Sequence, residues 1–220
     1  VQKIFFFLPS LFASVVFSNL VFLIAIYIFY KLLALDYARS EIKWIILLLL
    51  LFPTAFYFAS LYTEGLFLLL VFTSFYLTRK SKWLSASLLA ALASSTRFIG
   101  IFLLPALLYE WHISKRKNIL ISPVLYLAPA GLLAYMIFLQ INFGDALYFW
   151  HAQPVFGAAR EGSGIVLLPQ VFWRYFKILT TVPVWGLSFL IPLTELFATL
   201  ASIFLLVIAS GKKIRTSYLV

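Results

Sequence analysis

Glu64 and Arg97 are the two residues on which any chemistry of this chain must first be weighed. Between Trp44 and Thr78 there is no Lys, Arg or Asp, and Glu64 is the only carboxylate of that stretch. A carboxylate set in apolar sequence of membrane length is costly, which makes it a functional candidate by default. With Tyr62 and Thr63 before it, Glu64 suits contact with a sugar hydroxyl or a cation in a water-filled cavity. The plainer reading is a carboxylate in the first turn of a helix, where the dipole favours negative charge. Both can hold at once. Arg97 closes the run Ser94-Ser95-Thr96-Arg97 between two short apolar segments. Its planar fork of donors matches a phosphate or carboxylate in two-pronged fashion. The structural alternatives are a pair with Glu64 or a side chain that reaches to the membrane interface. A third group, Asp145, His151 and Gln153, falls within nine residues. Asp145 after Gly144 suits a binding role or a turn cap equally, and His151 beside Trp150 suits a hydrogen-bonded interfacial residue as well as a site residue.

Several other chemistries are excluded. The chain has no cysteine, so disulfides, thiolate metal sites and cysteine nucleophiles are out. There is no phosphate-binding glycine loop, no HExxH and no GxSxG. Two histidines and scattered carboxylates make a poor transition-metal site, and no cofactor is expected.

The elements that must position these residues are membrane helices. The chain is 64% hydrophobic and 11% charged with a mean hydropathy of +1.06, too little polar surface to cover a water-soluble globule of 220 residues. A crossing takes about 20 residues at a rise of about 1.5 Å each. The apolar runs between charges predict an all-α polytopic bundle of seven crossings, near 8–31, 43–60, 64–78, 83–96, 98–111, 119–142 and 187–210, as one transmembrane domain over 1–220. The net charge of +10 does not point to nucleic acid, because the Lys and Arg form short clusters between apolar runs rather than one basic face.

Orientation follows from the same clusters. Lys31, Arg39, Lys43, Arg79, Lys80, Lys82, Lys115, Arg116, Lys117, Lys212, Lys213 and Arg215 fall on one side, twelve of the seventeen, against Lys3, Arg97, Arg160, Arg174 and Lys177 on the other. The first side is therefore expected to be cytoplasmic. Tyr62-Thr63-Glu64, Arg97 and a long loop over 143–186 then share the outer face. That loop is rich in Tyr, Phe and Trp, as suits headgroup depth. Within 169–180, Val171, Phe172, Phe176 and Leu179 alternate with Arg174 and Lys177 at helical spacing, which predicts an interfacial helix.

Three segments carry a family resemblance. They are Phe52-Pro53-Thr54-Ala55-Phe56-Tyr57-Phe58-Ala59-Ser60-Leu61-Tyr62-Thr63-Glu64-Gly65-Leu66-Phe67, then Ala90-Ala91-Leu92-Ala93-Ser94-Ser95-Thr96-Arg97-Phe98-Ile99-Gly100, then Phe143-Gly144-Asp145-Ala146-Leu147-Tyr148-Phe149-Trp150-His151-Ala152-Gln153. Together they resemble the PIG-V-type mannosyltransferases, the second mannosyltransferase of GPI-anchor synthesis and its prokaryotic relatives. The chain departs from that pattern at Ala146, where Pro is usual, and at Gly65, where Ser is usual.

The resemblance implies a GT-C glycosyltransferase, all-helical and membrane-integral. Such an enzyme moves a sugar from a polyprenyl-phosphate donor to a lipid or glycan acceptor on the outer or lumenal face, with inversion. It implies the plasma membrane in a prokaryote and the endoplasmic reticulum in a eukaryote. Arg97, helped by Arg174, is then expected at the donor phosphate, and Tyr62, Glu64, Asp145, His151 and Gln153 at the sugar and acceptor. The family's base is an aspartate of the first outer loop, which is expected to lie N-terminal to this chain, so that the catalytic residue is not among these 220. The rival reading from the residues alone is a transporter or lipid flippase with Glu64 and Arg97 in the substrate path.

Overall fold

The computed structural model describes residues 10–52, 54–114, 122–152, 154, 167–184, 186–211 and 215–218. Among them every regular element is a helix. The chain divides into two compact units, Val1–Ala146 and Leu147–Val220.

The first unit opens with α1, Ser10–Leu33, whose only charge is Lys31. After a turn, α2 runs over Arg39–Leu51, with Glu41 reaching back to accept from the Ala38 N–H at 3.0 Å. α2 was expected to run on to residue 60 and does not. Phe52 is extended at φ −61°, ψ 133°, the conformation into which a residue preceding proline is pushed. The chain resumes helically only in the single turn α3, Phe56–Ala59. α3 is fastened to α1 by side chains: Asn19 Nδ2 donates to Ala59 O at 2.9 Å and Ser18 Oγ to Ser60 O at 2.6 Å.

α4, Glu64–Arg79, then packs along α1. The two run parallel, since contacts climb both together, from Phe29 with Phe72 to Asp36, just beyond α1, with Arg79 at the end of α4. α5, Trp83–Thr96, returns antiparallel to α4, and Ser74 Oγ on α4 donates to Ala86 O at 2.9 Å. The buried face of α5 is made of Ala86, Ser87, Ala90, Ala93 and Ser94 below Trp83. Small residues let helix backbones approach closely, which is how helices associate where there is no water to drive them together. Around that face gather Leu70, Leu103, Leu107, Leu125 and Ala128.

A 3₁₀ turn over Phe98–Phe102 leads into α6, Leu103–Ile113. The expected crossing at 119–142 is two pieces, α7 at Ser122–Leu125 and α8 at Ala130–Phe143, with Pro129 at the junction. Proline lacks an N–H and clashes with the preceding turn, so it starts a helix more readily than it continues one. The first turn of α8 is held hard against α5, where a Cβ on Gly131 would lie 1.7 Å from Ala91 O. Ser94 rivets the contact: its hydroxyl donates to Ala128 O at 2.7 Å and accepts from the Leu132 N–H at 3.1 Å.

The second unit holds α9, Tyr148–His151, then α10, Leu168–Thr181, and α11, Leu187–Ser210. α10 falls on the stretch where the sequence predicts an interfacial helix. α1 over Phe12–Leu33 and α11 over Leu187–Ile208 are long and apolar enough to cross a membrane. The elements at the other five expected crossings are shorter: α2 has 13 residues, α4 16, α5 14, α6 11 and α8 14.

Candidate functional site

Glu64 is the first residue of α4 and Arg97 the residue at which α5 ends. Because the two helices are antiparallel, their start and finish meet. Arg97 Nη1 donates to Glu64 Oε1 at 2.9 Å. Arg97 breaks out of the helix at φ −146°, ψ 130°, its N–H still bonded to Ala93 O at 3.0 Å. Glu64 also occupies the first turn of α4, where the dipole favours a carboxylate. The pairing and the helix-start reading therefore hold together.

The pair is incompletely satisfied. Glu64 Oε2 is buried with no hydrogen-bond partner. The Arg97 side chain is 41% exposed and that of Glu64 20%. A buried acceptor without a donor costs about 1–3 kcal/mol, more when charged. The neighbouring hydroxyls do not supply one, because Ser95 and Thr96 both donate to their own helix, to Leu92 O and Ala93 O at 2.8 Å. Of the Ser-Ser-Thr-Arg run, Ser94 is bonded to the start of α8 and only the guanidinium is turned to Glu64.

The segment that leads into Glu64 carries an aromatic shelf. Tyr62 meets Tyr57 edge-on at 5.3 Å between centroids, and Tyr57 lies 4.2 Å from Phe56. All three rings are exposed. Gly65 is what lets the shelf sit so close: a Cβ there would lie 2.8 Å from Phe58 O.

Asp145 belongs to the same unit. It follows Gly144, which ends α8 in the left-handed region at φ 72°. Gln140 ties the turn on both sides, its Nε2 donating to Gly144 O at 3.2 Å and its Oε1 accepting from the Ala146 N–H at 3.0 Å. His151, at the end of α9, and Arg174, on α10, are exposed and belong to the second unit. Gln153 lies outside the described residues, as do Lys3, the cluster Lys115-Arg116-Lys117, Arg160 and the pair Lys212-Lys213. The structure thus brings together Glu64 and Arg97, while Tyr62, two residues before Glu64, packs on Tyr57.

Three further carboxylates escaped the sequence reading. Asp36, just beyond α1, takes both prongs of Arg79 at the end of α4, Nη1 to Oδ2 at 2.5 Å and Nη2 to Oδ1 at 2.8 Å. The signal was present, since both residues fall on the side assigned to the cytoplasm and carry opposite charge. Glu195 is the one charge within α11, and its Oε2 accepts from the Tyr175 hydroxyl at 2.6 Å. That bond, then burial, holds the Tyr175 phenol above its ordinary pKa of 10.0. The same argument that singles out Glu64 would have found Glu195. Glu110 is a third carboxylate, 3% exposed on the face of α6 that carries Leu103, Ala106 and Leu107. Neither a family model, a curated protein nor a solved structure matches this chain.

Proposed function

We propose that this chain is the membrane core of a PIG-V-like glycosyltransferase, a mannosyltransferase taking its sugar from a polyprenyl-phosphate donor and passing it to a lipid-linked or surface acceptor. In this reading seven crossings thread the bilayer of the plasma membrane, or of the endoplasmic reticulum in a eukaryote. The clusters Lys31, Arg39, Lys43 and Arg79, Lys80, Lys82 face the cytoplasm. Glu64 and Arg97 then face outward.

One observation carries the reading. A guanidinium held by a single carboxylate oxygen, half open to solvent, stands next to a buried carboxylate oxygen without a donor, and the segment that leads into Glu64 carries three exposed rings. A glycosyl phosphate presents the complements of all three: an anion, a set of hydroxyl donors and an apolar sugar face. In the transfer, the acceptor oxygen attacks the anomeric carbon and the bond from that carbon to the phosphate oxygen breaks. The lipid phosphate leaves with the bonding electrons, and the acceptor proton passes to a carboxylate base. Arg97 stabilises the charge that grows on the departing phosphate. Glu64 Oε1 holds Arg97 in place, while Oε2 gains from a sugar hydroxyl the donor it lacks.

The test is transfer from polyprenyl-phosphate mannose in reconstituted membranes. Arg97→Ala is expected to lower transfer about 100-fold or more while insertion is kept, in line with the loss of one charge-stabilising donor. Exchanging the partners, Glu64→Arg with Arg97→Glu, restores an ion pair but not the donor site. Full recovery in the exchanged protein would reduce the pair to a structural clasp and remove the phosphate role.

One further observation favours the transporter reading. α4 begins in one ion pair and ends in another, Glu64 with Arg97 and Arg79 with Asp36, as a substrate path gated at both ends would require. Flux of a labelled lipid across vesicles, without sugar transfer and raised by Glu64→Gln, would decide for it.

A further inference from the structure

α10 carries two faces of different character. Val171, Tyr175, Leu179 and Val182 are half-buried, and on this side Tyr175 bonds to Glu195 of α11. On the other side Trp173 is 66% and Phe176 58% exposed, and their rings stack at 5.7 Å with 25° between planes. Lys177 and Arg174 follow Trp173 within about 100° of rotation around the helix. Both are exposed, and α10 contains no Asp or Glu. The helix is anchored at its start, where the Gln170 side-chain Oε1 accepts from the Leu167 N–H at 3.1 Å. It packs on α11, a mostly apolar helix of 24 residues whose one charge is Glu195.

We infer that the exposed face of α10 is a docking surface for the anionic headgroups of the bilayer, with Trp173 and Phe176 seated at acyl-chain depth and Lys177 and Arg174 on the lipid phosphates. The stacked rings form a rigid wedge of the kind that prefers the membrane interface. The exposed Lys177, with Arg174 one turn before it on a helix that carries no acid, selects negative lipid over zwitterionic lipid. The bond from Tyr175 to Glu195 sets the wedge against α11, so the depth of the rings is fixed by a helix long enough to cross. This gives Arg174 a place at the bilayer phospholipids in preference to the donor phosphate. The inference rests on the membrane part of the reading above and is independent of sugar transfer.

The test uses the intact chain in nanodiscs of phosphatidylcholine containing phosphatidylglycerol, with bromine placed on the chains of one lipid or the other. The readout is the fluorescence quenching that disappears in Trp173→Phe. Brominated phosphatidylglycerol is expected to quench Trp173 about five times more strongly per molecule than brominated phosphatidylcholine. That preference should fall to parity in Arg174→Gln/Lys177→Gln and at high salt. Equal quenching by the two lipids in the unaltered protein would overturn the headgroup preference. Absence of Trp173 quenching by either would show the face covered by a second copy or another protein, or standing in water. A chain that washes off vesicles in carbonate would overturn the membrane reading itself, and this inference with it.

Discussion

The two ends of α4 use the same chemistry differently. At one end Arg79 and Asp36 form a two-pronged pair, both carboxylate oxygens engaged, with side chains 13% and 23% exposed. At the other, Arg97 touches Glu64 through one nitrogen, the second oxygen has no donor, and the arginine is 41% exposed. A two-pronged arginine–carboxylate contact fulfils the geometric potential of both groups. The first pair therefore reads as a clamp between α1 and α4, and the second as a contact with capacity for a third partner.

Breaking that comparison begins with the arginines. If the chain transfers sugar as proposed, Arg97→Ala should lower transfer about 100-fold or more, whereas Arg79→Ala should leave most activity per folded molecule. Equal losses in a transfer assay would erase the distinction between clamp and site. Next in size is stability. Asp36→Ala or Arg79→Ala is expected to cost about 1–3 kcal/mol, because each strands a half-buried charge at the junction of two helices. Thermal unfolding in detergent reads this as a lower melting temperature, and exchanging the two residues should recover most of it. Arg97→Ala should shift melting less, since that side chain is more open.

Gly65→Ser probes the aromatic shelf. The added Cβ meets the Phe58 carbonyl at 2.8 Å, and relieving it should cost about 1–3 kcal/mol by pushing α3 away from α4. The KM for the donor should rise with little change in the stability contributed by Asp36 and Arg79. An unaltered KM would detach the shelf from the site.

The smallest effect concerns Tyr175, whose donor is a neutral phenol instead of an arginine. Its pKa is raised by the bond to Glu195. The stabilisation is fully present below the unfolded phenol value of about 10 and is lost as pH climbs through the higher folded one. Ultraviolet titration of the protein minus Tyr175→Phe should show one late-ionising tyrosine, and Glu195→Gln should bring it earlier. A titration midpoint at the ordinary value would remove the contact.

Much of the helical layout was legible in the sequence. The limits of α1 and α11 follow from where apolar runs end, and α10 from helical spacing of aromatic and basic residues over 169–180. The breaks after Leu51 and before Ala130 were legible too, at Pro53 and Pro129, but counting apolar residues alone ran across them. Glu64 and Arg97 could be singled out because each is a charge in apolar surroundings. Their partners were open, since a clasp to each other, a snorkel and a ligand all fit the same spacing.

The sequence by itself determined the class of structure and the places of its charges, because apolar run length, proline and helical period act over a few neighbouring residues. Only the tertiary structure decided that Arg97 meets Glu64 across 33 residues and Arg79 meets Asp36 across 43. It also decided that Ser94 rivets α8 to α5 while Ser95 and Thr96 turn back on their own helix. Such choices depend on the rotation and closeness of packed helices, set here by the small residues of α5 and by Gly65 and Gly131. Contacts of that range are a property of the packed assembly and leave no period in the chain.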